Sequence, residues 1–183
     1  MTKNNINGVL LCAIVFLFGN YINAQTKNTG PIIKDFGKVW KVDAPDYALD
    51  TTKTYKAVFD IMNSPEDVGE LNRSIETAAR FLNMHAQSGI PLEQLKVALV
   101  VHNKASKDVI TSKNYKKKYG IENPNEKLIT DLIGAGAEVI FCGQSSMSRG
   151  FPKEELIDGV QLSLSAMSAL IQLQNEEYRL IKF

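Results

Sequence analysis

The chain has 183 residues, of which 44% are hydrophobic, 8% aromatic and 22% charged. This length and composition suit one globular domain with a hydrophobic core of its own. The 21 basic and 20 acidic residues leave a formal net charge of only +1. A balanced charge lacks the basic excess of proteins that bind nucleic acid electrostatically, so we expect no nucleic-acid partner.

Residues 1–24 have the pattern of a secretory signal peptide. Lys3 gives a weakly basic start, residues 9–18 are apolar, and residues 20–24 turn polar and end at the small residue Ala24. We expect cleavage after Ala24, which would remove Cys12 and send the protein to the periplasm or the medium. The apolar run is short for a membrane span, which needs about 20 residues, so an uncleaved anchor is the weaker alternative. No membrane span is expected after cleavage.

The mature chain would start at Gln25 and carry no formal net charge, because the loss of Lys3 equalises basic and acidic residues. Residues 25–53 show little periodicity and hold Trp40 and Tyr47. We predict that they form an extended arm over the domain, which we place at residues 54–183.

Strands and helices alternate through this domain. Apolar runs predict strands at 55–61, 97–101, 138–142, 160–164 and 178–183. Capping residues and helical spacing predict helices at 64–88, 106–119 and 123–134, a helical turn at 151–157 and a helix at 165–176. The uninterrupted apolar run at 97–101 is typical of a strand buried on both faces. The pattern predicts an α/β fold, a three-layer α/β/α sandwich with a mostly parallel sheet of about five strands. It does not give the strand order.

Ligands of such sheets bind beyond the carboxyl ends of the strands. Residues 63–64, 102–104 and 142–145 follow three predicted strands and should meet at this edge. Cys142 would be the only cysteine of the mature chain, so it has no partner for an internal disulfide. It could be an inert buried residue, half of an intermolecular disulfide or a reactive thiol, and the sequence leaves these possibilities open.

A reactive Cys142 needs neighbours that favour the thiolate. We predict that this support comes from the residues of the two neighbouring loops, namely His102, Asn103, Lys104, Gly143, Gln144 and Ser145. Gly143 would leave space beside the sulfur. His102 has an alternative role in which its ring bonds to the backbone and holds the loop, since no carboxylate is recognisable in the sequence as its partner.

No cofactor and no metal site are predicted. His85, His102 and Cys142 lack the spacing of metal-ligand pairs. The glycines of residues 134–136 follow a predicted helix rather than a strand, so they do not form a phosphate-binding loop. A Gly-x-Ser-x-Gly hydrolase motif is also absent from the sequence.

Three stretches of the chain match a known family. They are Val-Val-His-Asn at residues 100–103, Ala-Gly-Ala-Glu-Val-Ile-Phe-Cys-Gly-Gln-Ser at residues 135–145, and the tail at residues 164–174 and 178–183. With these residues, the chain from about Thr54 to Phe183 resembles the DsrE/DsrF-like family. The resemblance implies an α/β/α fold, a homo-oligomer and a cysteine that carries sulfur as a persulfide, a role that would fall to Cys142.

The leading hypothesis is an exported, sulfurtransferase-like sulfur carrier that accepts sulfane sulfur on Cys142. Its partners would be small sulfur species or a thiol protein that exchanges with the persulfide. The alternative is a non-enzymatic, oligomeric interaction domain in which Cys142 is structural or senses redox conditions. The sequence does not decide whether the protein is an enzyme.

Overall fold

A computed structural model describes residues 26–182. The predicted signal peptide and its cleavage site lie outside the described residues. Five strands form one parallel sheet in the order β4-β3-β2-β1-β5. They are β1 (Tyr55–Ile61), β2 (Leu95–Val101), β3 (Glu138–Cys142), β4 (Gln161–Ser163) and β5 (Arg179–Ile181). The predicted α/β class is confirmed, and the sheet is entirely parallel.

The α-helices lie on both faces of the sheet. They are α1 (Arg73–Gln87), α2 (Ser112–Tyr119), α3 (Glu126–Gly134), α4 (Gly143–Arg149) and α5 (Ala166–Asn175). Apolar side chains of α1 and α3 join one face of the sheet in the larger hydrophobic cluster. Alternate residues of β1 and β2 point the other way and form a smaller cluster with α5. The strands therefore separate two apolar layers, as the central sheet of a sandwich does. No helix within residues 26–182 is long and apolar enough to span a bilayer.

The start of α1 differs from the prediction. Asn72 is its N-cap, with a side-chain oxygen that accepts from the Ser74 N–H at 2.9 Å. The predicted cap, Ser64, lies instead in a loop after β1, where its hydroxyl donates to the buried Asp108 carboxylate at 2.9 Å. The prediction was wrong because residues 64–67 are of types that often cap helices, but here the Ser64 hydroxyl bonds to a residue distant in the sequence instead.

Two further segments differ from the sequence-based expectation. Residues 106–119 were predicted as one helix, but the chain forms a 3-10 turn at Asn103–Val109 before α2. Residues 143–146 were predicted as a loop, but they open α4 directly after β3. Cys142 is therefore at once the last residue of β3 and the residue that precedes a helix.

The segment before β1 packs on α1. Ile33 is buried, and the Asn83 side chain of α1 bonds to both its N–H and its carbonyl, at 2.8 and 2.9 Å. Gly37 has a φ of +70°, and a side chain there would meet the backbone of Ala79 at 2.6 Å. This close approach requires glycine and holds the segment against the helix.

Candidate functional site

Cys142 lies at the carboxyl end of β3, next to the central strand β2. Only 4% of the residue is exposed, and it packs in the smaller hydrophobic cluster with Val58, Val100 and Ala166. Cys142 is therefore a buried thiol and not one that is open to solvent. The end of a strand is open to solvent only where no other element covers it. Here the beginning of α5 covers the end of β3.

The surroundings of the sulfur nevertheless favour the thiolate. Burial raises the pKa of Cys142, but hydrogen bonding outweighs this effect and brings the pKa below the ordinary value of a thiol. The donors are the N–H and hydroxyl of Ser145 and the N–H groups of Ala166 and Gln144. These N–H groups belong to the first turns of α4 and α5, where the helix itself supplies no acceptor. All of these donors are electrically neutral.

Gly143 allows α4 to begin without a connecting loop. A Cβ at this position would lie 2.5 Å from the Ser163 carbonyl oxygen and 3.1 Å from that of Leu164. The missing side chain therefore makes room for the backbone of β4. The sequence had indicated that it would make room for a second sulfur atom, and this expectation is wrong. The Gln144 side chain also contacts this backbone and donates to the Leu164 carbonyl at 3.3 Å.

Ser145 joins the loop after β2 to the sulfur. Its Oγ accepts from the Asn103 N–H at 3.0 Å, so its own proton is left to point at Cys142. Asn103 adopts the left-handed conformation, with a φ of +53°. Its side-chain oxygen accepts from the Arg149 guanidinium, and its carbonyl accepts from the Ser106 hydroxyl at 2.6 Å. These bonds fix the loop relative to α4.

His102 has a carboxylate partner that the sequence did not reveal. Its Nε2 lies 2.8 Å from Oδ1 of Asp60, the penultimate residue of β1, and both side chains are 22% exposed. The alternative role, a ring bonded to the backbone, is wrong. The available signal was the single acidic residue in an otherwise apolar strand end, Phe59-Asp60-Ile61. This acidic residue can reach His102 only because β1 and β2 are neighbours in the sheet.

Lys104 is directed elsewhere. Its Nζ lies 2.8 Å from Oε1 of Glu66 in an exposed ion pair with the loop after β1. Of the predicted supporting residues, Gly143, Gln144 and Ser145 surround Cys142, and Asn103 acts through Ser145. The structure does not bring Lys104 to the sulfur as a hydrogen-bond donor.

A second polar cluster stabilises the same edge of the sheet. The buried Asp108 carboxylate accepts from Asn72 at 2.7 Å, from Ser64 at 2.9 Å and from Asn125 at 3.2 Å. Burial raises the pKa of Asp108, although the Asn72 amide and the Lys107 ammonium oppose this effect. The cluster ties the starts of α1 and α3 to the 3-10 turn, so we assign it a structural role.

The described residues, 26–182, contain no group of three or more His, Cys, Asp and Glu side chains placed to hold a metal ion. His85 lies in α1, where its Nδ1 is 2.8 Å from the Phe81 carbonyl oxygen and its ring lies against Phe81. Burial lowers its pKa. It belongs to the packing of the helix.

Comparison with known proteins identifies the family of this chain. The sequence profile of the DsrE/DsrF-like family matches residues 56–183. The chain belongs to the DsrE/DsrF-like family. The matched part begins in β1 and includes every residue of the site around Cys142. No curated protein matches the chain.

Two solved structures share the DsrE/DsrF-like fold of this chain. One is the protein of unknown function MTH1491 from Methanobacterium thermoautotrophicum, at 18% identity and a TM-score of 0.53, covering 69% of this chain and 97% of that one. The other is the ychN protein from E. coli, at 19% identity and a TM-score of 0.51, covering 71% of this chain and 100% of that one. At such identities the likeness concerns the fold.

Proposed function

We propose that the protein carries sulfur as a persulfide on Cys142. The observation that carries this proposal is the set of neutral N–H and O–H donors from Ser145, Ala166 and Gln144, which lower the pKa of a thiol that burial alone would raise. A thiolate is the nucleophile in sulfur exchange, and a persulfide is likewise anionic when it reacts. The same donors would stabilise both species. The persulfide role implied by the family resemblance also supports this function.

The proposed transfer is a displacement at sulfur. The Cys142 thiolate attacks the outer sulfur of a donor persulfide, R–S–SH, and forms a new S–S bond. The S–S bond of the donor breaks, and R–S⁻ leaves with its electron pair. The product is Cys142–S–SH, and no net oxidation or reduction occurs. Attack by an acceptor thiolate on the same outer sulfur returns Cys142 to its starting state.

Treatment with polysulfide followed by intact-mass measurement tests this function. The protein carries Cys12→Ser, so that Cys142 is its only thiol, and a matched sample also carries Cys142→Ser. We expect the first protein to gain one sulfur atom and the second to gain none. Absence of the gain, in a reaction where a control thiol protein does acquire sulfur, would refute the proposal.

The depth of Cys142 favours a second candidate, an interaction domain in which the cysteine only packs. The residue is 4% exposed and belongs to the same hydrophobic cluster as Val58 and Val100. This alternative predicts that iodoacetamide labels Cys142 only after denaturation, and that Cys142→Ser leaves assembly unchanged. The same depth opposes a redox sensor that dimerises through Cys142, which would appear as a Cys142-dependent dimer on non-reducing gels.

Export and self-association complete the proposal. Export rests on the signal-peptide pattern of residues 1–24, and a mature protein whose sequence begins at Gln25 would verify it. Self-association is supported by large apolar side chains exposed on α4, on α5 and in the link between β4 and α5, which include Met147, Leu164, Met167 and Ile171. Light scattering should give a mass above that of one chain. We expect Ile171→Glu to reduce that mass, and Gln172→Glu, on the same helix, to serve as its control.

A further inference from the structure

We propose that His102 accepts the proton of the Cys142 thiol, and that Asp60 is a positioning residue that orients the imidazole for this task. This role rests on the proposed function, because Cys142 must become a thiolate before it can attack sulfur.

The three side chains lie on the same face of the sheet. Val58 of β1, Val100 of β2 and Cys142 of β3 all belong to the hydrophobic cluster on the α5 side. Asp60 and His102 each follow one of these valines by two residues, so strand alternation turns them toward the same side. The backbone of His102 is extended, with φ −156° and ψ 179°, so the alternation continues through it.

The register places His102 between the other two residues. Val101, the last residue of β2, pairs with Phe141, and continuing this register by one residue past the ladder sets His102 beside Cys142, at the spacing of about 4.8 Å between neighbouring strands. On its other side, the His102 N–H donates to the Ile61 carbonyl at 3.0 Å, and its ring bonds to Asp60. A row of carboxylate, imidazole and thiol therefore crosses β1, β2 and β3.

Exposure along this row rises away from the sulfur. Cys142 is 4% exposed, whereas the side chains of His102 and Asp60 are each 22% exposed. The donors that surround Sγ stabilise an anion, but an amide N–H cannot accept a proton, and the Ser145 hydroxyl is a weak base that already accepts from Asn103. The buried thiol thus lacks a proton acceptor in its immediate shell, and His102 is the next titratable group toward solvent.

The proton can be followed atom by atom. In the tautomer that this step requires, His102 donates its Nε2–H to the Asp60 carboxylate, which leaves the lone pair on Nδ1. The thiol proton moves to this nitrogen, and the positive charge on the ring pairs with Asp60. The imidazolium then gives the proton to the departing R–S⁻, so that R–SH is released and the ring is neutral again.

Few other charges face this row. The helix that covers it, α5, has no ionisable side chain, and neither has β4. Lys56 and Glu138 share the face but lie toward the opposite ends of their strands, where Lys56 bonds to the Glu176 carbonyl and Glu138 accepts from Tyr178. Three further groups of charged residues lie near the row. Lys182 follows β5 and continues the register beside Asp60, while Arg73 and Arg80 of α1 line a cavity of about 300 Å³ together with Asp60. Lys104 is bonded to Glu66, and Arg149 is bonded to Asn103.

The pH dependence of sulfur uptake tests this assignment. In the Cys12→Ser protein, we measure the rate of sulfur gain from polysulfide by mass, and the thiolate by its ultraviolet absorbance. We expect His102→Gln to slow uptake about 100-fold near neutral pH, as loss of a general base does. Its remaining rate should follow the thiolate absorbance alone. His85→Gln, which changes the other histidine of the chain, is the matched control and should leave rate and profile unchanged.

Asp60 variants separate positioning from packing. Asp60→Asn should slow uptake, because the imidazolium formed on His102 loses its counter-charge. Asp60→Glu should restore much of the rate. Circular dichroism and thermal unfolding of each variant show that it is folded.

Each outcome decides one question. If the unmodified site takes up sulfur and His102→Gln does so at the same rate with the same profile, the role of His102 is refuted and the persulfide function stands. If the unmodified site takes up none, the persulfide function fails, and the role of His102 is judged from the pH profile of iodoacetamide alkylation of Cys142. An unchanged profile in His102→Gln would refute it there as well.

Discussion

The Asn103 N–H donates to Ser145 Oγ at 3.0 Å, and this bond connects the loop after β2 with the helix after β3. It determines where the Ser145 hydroxyl proton can point, because the oxygen already serves as an acceptor. The hydrogen bonding around Cys142, at the end of β3, is in this way tied to the backbone that follows β2.

Removal of this hydroxyl should weaken the acidity of the thiol. In Ser145→Ala, one of the groups that lower the pKa of Cys142 is lost, so the pKa should rise and less thiolate should be present at neutral pH. Thiolate absorbance as a function of pH measures the shift. Ser148→Ala, an exposed serine of the same helix, is the control. An equal pKa in Ser145→Ala and the control would contradict the assigned donor.

A methyl group at residue 143 should destabilise the fold. Gly143→Ala would place a Cβ 2.5 Å from the Ser163 carbonyl oxygen, so α4 or β4 must shift. Overpacking of this kind costs about 1–3 kcal/mol, which chemical denaturation can measure. Gly134→Ala is the control, because a Cβ there meets nothing within 4 Å and alanine favours a helix. Equal stability of the two variants would show that β4 yields easily.

Asn72 combines a helix cap with a buried hydrogen bond. Asn72→Ala should lower the free energy of unfolding by about 1 kcal/mol through loss of the helix cap. It should lower it by about 1–3 kcal/mol more because an Asp108 oxygen loses its donor. Asn72→Ser keeps a cap acceptor and should lose mainly the second part. Unfolding free energies from denaturant titrations give both values. If Asn72→Ser were as damaging as Asn72→Ala, the cap would contribute nothing.

Asp108 should make stability depend on pH. Burial raises its pKa in the folded state, so the stabilisation linked to its protonated form is complete below the ordinary aspartate range and is lost as the pH rises through the folded pKa. The unfolding free energy of the wild type, measured relative to Asp108→Asn, should therefore fall over this interval. Asp158→Asn, which removes an exposed carboxyl, is the control. A difference that increases with pH would mean that the hydrogen bonds to Asp108 outweigh its burial.

The sequence predicts those parts of the fold that depend on local pattern. The bounds of β1 and β3 agree with the strands predicted at 55–61 and 138–142, because most of their residues are apolar and lie buried or half-buried in the sheet. The helix that starts at Gly143 was missed, since glycine and the serines after it are poor helix formers. Contacts with the backbone of β4, distant in the sequence, make that start possible.

In the site, too, the local sequence predicts some features, and others depend on contacts between residues distant in the sequence. Cys142 was located by sequence, but its depth depends on Ala166 at the beginning of α5, which covers it from a position 24 residues later in the chain (166 − 142). Asp60 could not be assigned, because a carboxylate on β1 reaches His102 only when β1 lies beside β2, and the sequence does not encode strand order in any local pattern.

The absence of charge among the donors to Cys142 has a practical consequence. Ions in solution screen attraction between charged groups, and they hardly affect a short hydrogen bond from a buried amide. The acidity of this thiol should therefore be nearly the same in dilute buffer and in concentrated sodium chloride. A protein with such a cysteine keeps the same fraction of its thiol ionised over a wide range of salt concentrations.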